Sequence, residues 1–175
     1  NLEAARKFWA FQPAHKPTVP KLKQTDWAYT DIDRFVLSDL EEKGLGPVQD
    51  ANNLILLRRL YFDLIGLPPT PDQMAAFEQA AAKDRKVAIA KAVDELLASP
   101  HFGERWGRHW LDVVRFSEST GGGRTALMKE AWRYRDYVVN AFNADNPYID
   151  FIREQIAGDL IKGGSIEQQR ERLTA

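Results

Sequence analysis

Apolar side chains recur at three- and four-residue spacing along most of the chain, and capping residues cut that pattern into segments of helical length. The first amphipathic run, Asp31 to Lys43, turns Ile32, Phe35, Val36 and Leu40 to one side and stops at Gly44. The next begins after Asp50 and reaches Ile65, with Leu54, Leu57, Tyr61, Leu64 and Ile65 inward and Arg58 among them. Gly66, Pro68 and Pro69 end it. Thr70 caps a helix with Pro71 at its first position and Met74, Phe77 and Ala81 on a thin apolar side. Asp84 precedes another whose inward residues are Ile89, Val93, Leu96 and Leu97. Asn146 and Pro147 open a helix from Tyr148 to Ile161, with Tyr148, Ile152 and Ile156 buried and Gln155 and Asp159 on the same side. Ser165 starts a last amphipathic piece after Gly163-Gly164. No segment shows the alternation of a strand for more than a few residues. The pattern predicts an all-α fold, a single orthogonal-type domain of about eight helices.

The stretch from Ser99 to Asp136 is the densest in chemistry, with Trp106, Trp110 and Trp132, His101 and His109, and the glycine run Gly121-Gly122-Gly123. Ser99 as N-cap and Pro100 at the first helical position predict a helix to about Ser117, and a second restarts near Ala126. At 100° per residue Phe102, Trp106, Trp110 and Val113 share an apolar face with His109 in its middle. Arg105, Arg108, Asp112 and Arg115 lie on the polar side, with His101. In the second helix Ala131, Val138 and Phe142 form the stripe, flanked by Trp132 and Val139, and Arg135 projects from its centre. A buried guanidinium needs an acceptor, and Glu118, Asp112 and Asp159 are the carboxylates expected to supply it. Ahead of the helices, Lys7 to Pro20 mixes Trp9 and Phe11 with prolines. After a short helical start it is expected to run extended and pack its aromatics on the body, so that residues 1–30 form an arm and 31–175 the helical body.

At 175 residues the chain is large enough to bury about 70% of its unfolded surface in one domain. A net charge of −1 lacks the basic excess of a nucleic-acid binder, and the absence of cysteine removes disulfides, thiolate chemistry and covalent c-type haem attachment within these residues. No apolar run reaches the ~18 residues of a membrane span. The chain opens abruptly at Asn1 and closes within a helical pattern at Ala175, and is expected to be a piece of a longer protein.

The blocks KFWAFQP, DIDRFVLSDLEEKGL, RRLYFDLIGLPPTP, LLASPHFGERWGRHWLDVVRFSEST and AWRYRDYVVNAFNADNPYIDFIREQIAGDL resemble, in order and spacing, a family of unknown function. It is found in large secreted proteins of planctomycetes and related bacteria, where the domain commonly follows a cytochrome c module and precedes a second helical domain. The resemblance runs from about Phe8 to the end. It implies an extracytoplasmic location, a multidomain parent with haem in a neighbouring domain and no cofactor in this one, and a role near the degradation of complex polysaccharides. It carries no catalytic residues over. At Gly121 to Gly123 the sequence departs from members that have a longer polar segment.

Arg58, His109, Arg135, Gln155 and Asp159 stand on apolar faces, with Glu118 at a helix exit, and packed helices would join them into one network. Such a cluster fixes helix register when it is closed. If it lines a cleft instead, Glu118 or Asp159 is an acid or base tuned by Arg135, with His109 as proton carrier, as a polysaccharide hydrolase or lyase requires. Arg58, Trp106, Trp110 and the Gly121-Gly122-Gly123-Arg124 run are the positions where such a site would meet a ligand. Trp106, Trp110 and Trp132 are better placed for core packing than for sugar stacking, which leaves Trp9 and Trp27 as the surface aromatics. His101 and His109 are eight apart and diverge on a helix, so no metal site is expected. The glycine run has neither a preceding strand nor a Gly-Lys-Ser/Thr sequence and reads as a connector rather than a phosphate loop. The preferred reading is a non-catalytic accessory module that docks a redox partner domain or polysaccharide; the alternative is the hydrolase or lyase.

Overall fold

The computed structural model describes residues 2–23, 26–121 and 125–175. It is all-helical, and among the described residues the only β pairing is an isolated antiparallel bridge between Ser119 and Leu127. The chain forms two compact units, Asn1–Asp50 and Ala51–Ala175.

In the first unit a short helix α1 (Leu2–Arg6) and a 3-10 turn (Trp9–Phe11) lead into extended chain and then α2 (Asp31–Glu42). Thr30 caps α2 in a reciprocal capping box with Asp33, whose carboxyl is held below its usual range by the Thr30 backbone and hydroxyl. Glu41 reaches back to accept the Lys23 amide at 3.1 Å. Trp9 and Phe11 stand exposed rather than packed. On α2 the buried residue is Leu37, while Ile32 and Val36 face solvent, so the expected inward side is not the buried one.

The second unit holds two hydrophobic clusters. In the first, α3 (Asn53–Leu64), α4 (Pro71–Ala81) and α5 (Arg85–Leu97) meet around Leu57, Phe77, Ala81 and Ala88. Each of these helices has a side-chain N-cap: Thr70 and Asp84, as expected, and Asn52 accept first-turn amides. Leu57 is buried but Arg58 beside it is exposed, with its guanidinium 4.7 Å above the Phe62 ring. Leu97 is also exposed, and Ala88 takes its place in the core with Leu96.

In the second cluster α6 (Pro100–Val113) lies along α7 (Ala131–Asn143), with α8 (Tyr148–Ala157), a 3-10 turn (Gly158–Leu160) and α9 (Ile166–Thr174) completing the layer. Tyr137, Val138, Ala141 and Phe151 are buried there. The face of α6 that meets α7 carries Gly103 and Gly107. A Cβ on Gly103 would stand 2.3 Å from the Val139 carbonyl oxygen, a spacing that only glycine permits. The side chain of Asn143 then clamps the start of α6: its Oδ1 accepts the Gly103 amide at 2.7 Å and its Nδ2 donates to the Pro100 carbonyl at 3.1 Å. Gly158 plays the same part farther on, where an added Cβ would meet the Arg172 carbonyl oxygen of α9 at 2.1 Å.

Three boundaries differ from the expected ones. Helix α6 stops at Val113, not Ser117, because Arg115 turns to a φ of 57° and closes a Schellman motif in which the Phe116 amide donates to the Leu111 carbonyl at 2.9 Å. Helix α7 starts at Ala131 rather than Ala126, because the backbone around Ala126 and Met128 pairs with Thr120 and Glu118 instead. Helix α8 ends at Ala157, and the chain to Leu160 tightens into the 3-10 turn beside Gly158.

The glycine contacts set a contrast between neighbouring positions. Gly103→Ala is expected to lower stability in chemical denaturation by at least about 2 kcal/mol, because a backbone carbonyl cannot move aside. Gly107→Ala, whose Cβ meets Val138 and Val139 at 3.4 Å or more, is expected to cost less than about 1 kcal/mol, offset by alanine's helix propensity.

Candidate functional site

The polar cluster expected from the sequence does not close into a core. Among the described residues no polar or charged side chain is buried. His109 is exposed on α6, its ring 5.3 Å from Trp106, which is itself 38% exposed. Asp159 is exposed on the 3-10 turn. Arg135 is half-exposed rather than buried, but it does take one of its expected partners: Nη1 donates to Glu118 Oε1 at 2.7 Å, and Nη2 lies 3.0 Å from Asp136 Oδ1. The hydrogen bond that Arg135 donates to Asp136 comes first, and partial desolvation opposes it. With the Asp136 and Glu118 charges added, the balance raises the guanidinium's pKa further. Gly121 has φ +67°, and Gly122, Gly123 and Arg124 lie outside the described residues.

The reason for the displacement is common to both helices. On α6 the buried line runs through Gly103, Gly107 and Trp110, roughly a quarter-turn from the line through Phe102, Trp106 and Val113. That rotation carries His109 outward. On α7 the buried line is Tyr137, Val138 and Ala141, which leaves Arg135 at its margin. On α8, Phe151 is buried while Tyr148 and Ile156 are exposed.

What the fold does assemble is a set of side-chain hydrogen bonds between α6, α7 and α8, with an ion pair to α9. Trp110 Nε1 donates to the Tyr134 hydroxyl at 3.1 Å, and that hydroxyl donates to Gln155 Oε1. Next to it the Tyr137 hydroxyl donates to Glu154 Oε2 at 2.7 Å, which also accepts Asn146 Nδ2 at 3.1 Å, while Arg172 Nε stands 3.9 Å from Glu154 Oε1. Burial, and then the bond to Glu154, push the Tyr137 phenol well up, so it stays a donor. Trp110 and Gln155 are the members whose partial burial the sequence indicated. Tyr134, Tyr137 and Glu154 were missed, although the i, i+3 spacing of the two tyrosines on α7 was the available signal.

Two concavities flank the turn between α7 and α8. One, of about 360 Å³, is walled by Phe102, Trp110, Phe142, Tyr148 and Phe151, with Asp145 at the turn. The other, of about 320 Å³, has a mixed lining in which Tyr137, Asn140, Glu154 and Glu171 stand beside Ala141, Ala144 and Pro147. No three His, Cys, Asp or Glu side chains among the described residues are placed to share a metal ion. No helix among them is long and apolar enough to cross a membrane.

The model of the PSCyt2 family, whose description is a protein of unknown function (DUF1549), matches residues 31–175. No curated protein and no solved structure gives a significant match.

Since Tyr137 is held protonated in the fold and ionises near its ordinary value of 10 when unfolded, its contribution is complete below that pH and is lost as the pH rises above it. Melting temperature is expected to fall above about pH 10, and Tyr137→Phe to flatten part of that fall while lowering stability at pH 7 by about 1 kcal/mol. Glu118→Gln, at a half-exposed pair, is expected to cost no more than about 1 kcal/mol in the same melts.

Proposed function

The chain belongs to the PSCyt2 family, and from that premise we propose that it is a non-catalytic docking module of a larger extracytoplasmic protein. Its partner is a neighbouring domain of the same parent, a cytochrome c module, which holds the haem; the parent acts near polysaccharide degradation. The observation that carries this reading is the apolar surface of the first unit. Trp9 is 79% exposed, Ile32 75% and Val48 87%, joined by Phe11, Leu45 and Val36. Monomers rarely leave large apolar side chains in such number on so short a segment, and a covering partner removes them from water.

The hydrolase reading has less support. Glu118 Oε1 is engaged by Arg135, and His109, Asp159 and Arg58 stand exposed on separate elements, without the convergent geometry that acid–base chemistry needs.

Hydroxyl-radical footprinting of the isolated chain and of the full-length parent protein tests the docking role. Trp9, Phe11 and Ile32 are expected to label strongly in the chain alone and to be protected several-fold in the parent. Equal labelling in both contradicts the reading. So does hydrolysis of a polysaccharide by the chain that Glu118→Gln abolishes without changing the melting temperature.

A further inference from the structure

The apolar cavity beside the α7–α8 turn is independent of the docking surface, since it lies wholly within the second unit. Its volume of about 360 Å³ falls in the roughly 300–1,000 Å³ range of small-molecule sites. Its walls are rings: Trp110 and Phe151 stand edge to face at 4.9 Å, with Phe142 tilted against Phe151 at 6.2 Å, and Phe102 and Tyr148 alongside. The Trp110 indole N–H is turned to Tyr134, so what the side chain leaves to the cavity is hydrocarbon.

The polar groups at the turn are almost all acceptors. The Ala144, Asp145 and Asn146 amides donate back into the C-terminal turn of α7, to the carbonyls of Asn140, Phe142 and Ala141. Pro147 has no N–H, and Asn146 turns its Nδ2 to Glu154. Asp145 is the one charged residue lining the cavity; its carboxylate is exposed and makes no hydrogen bond or ion pair within the described chain. It is held there by a φ of 49° in the Schellman turn that ends α7. No basic side chain lines the space.

Aromatic walls with a single unpaired carboxylate and few donors complement a ligand that is apolar in body and positive in charge. We propose that this cavity binds an organic ammonium cation, with the alkyl groups against Trp110, Phe142 and Phe151 and the charge beside Asp145. An anion would meet Asp145 with repulsion, and only the first-turn amides of α8 would favour it. A neutral molecule of the same shape would gain the apolar contact alone.

Choline and its carbon isostere 3,3-dimethylbutan-1-ol separate these cases, with 3,3-dimethylbutanoate as the anion and glucose as a neutral sugar. Titration is followed by calorimetry and by the indole N–H resonance of Trp110. Choline is expected to bind saturably, to shift that resonance, and to bind about tenfold more tightly than the isostere. Asp145→Asn keeps a residue that tolerates positive φ and is expected to bring choline to within about twofold of the isostere. Asp145→Gly, which accepts the same turn, is expected to do likewise. The proposal is overturned if choline gives no saturable shift at Trp110, or if the isostere, 3,3-dimethylbutanoate or glucose binds as tightly. Choline affinity unchanged in both folded variants overturns it equally.

Discussion

The close approach of α6 to α7 at Gly103 is the constraint from which the second unit takes its shape. With the Val139 carbonyl oxygen 2.3 Å from where a Cβ would stand, only glycine fits the seam, and the Asn143 side chain fixes the register by bonding both the Gly103 amide and the Pro100 carbonyl. Once α6 and α7 are seated, Trp110 reaches Tyr134, and Tyr137 stacks on Phe151 at 5.9 Å with the rings nearly parallel. That stack places α8. Gly158 repeats the device for α9, and so brings Arg172 within reach of Glu154.

The same seam explains where the polar side chains went. Packing through glycine rather than through Trp106 and Val113 rotates α6, and with it His109 moves to solvent while Trp110 stays at the core margin. What looks on a helical wheel like a polar network in a core becomes two separate things. One is a half-exposed ion pair, Arg135 with Glu118, beside the bridged segment from Ser119 to Leu127. The other is a set of tyrosine-centred hydrogen bonds that tie α6, α7 and α8 together without an open catalytic constellation.

Caps were legible in the sequence because they depend on local chemistry: Thr70, Asp84, Ser99 and Ser165 all cap the helices they precede. Faces were less so. Counting apolar side chains locates a buried line only when large residues make the contact, and Gly103 and Gly107 contribute nothing to such a count. The end of α6 was hidden for a related reason, since the residue that takes positive φ there is Arg115 and not one of the glycines downstream. The Arg135–Glu118 pair was recoverable because a long cation among apolar neighbours needs an acceptor wherever it ends up. Asp145 and its aromatic neighbours were not, because the cavity exists only after three helices have met.

If the α6–α7 seam governs the second unit, its amides should be the last to open. Native-state hydrogen exchange under increasing denaturant measures this directly. The slowest amides are predicted on the facing sides of α6 and α7, around Gly107 to Leu111 and Tyr137 to Ala141, exchanging only through global unfolding. Slowest exchange in α3, α4 and α5, with α6 and α7 opening separately at lower cost, would contradict the account.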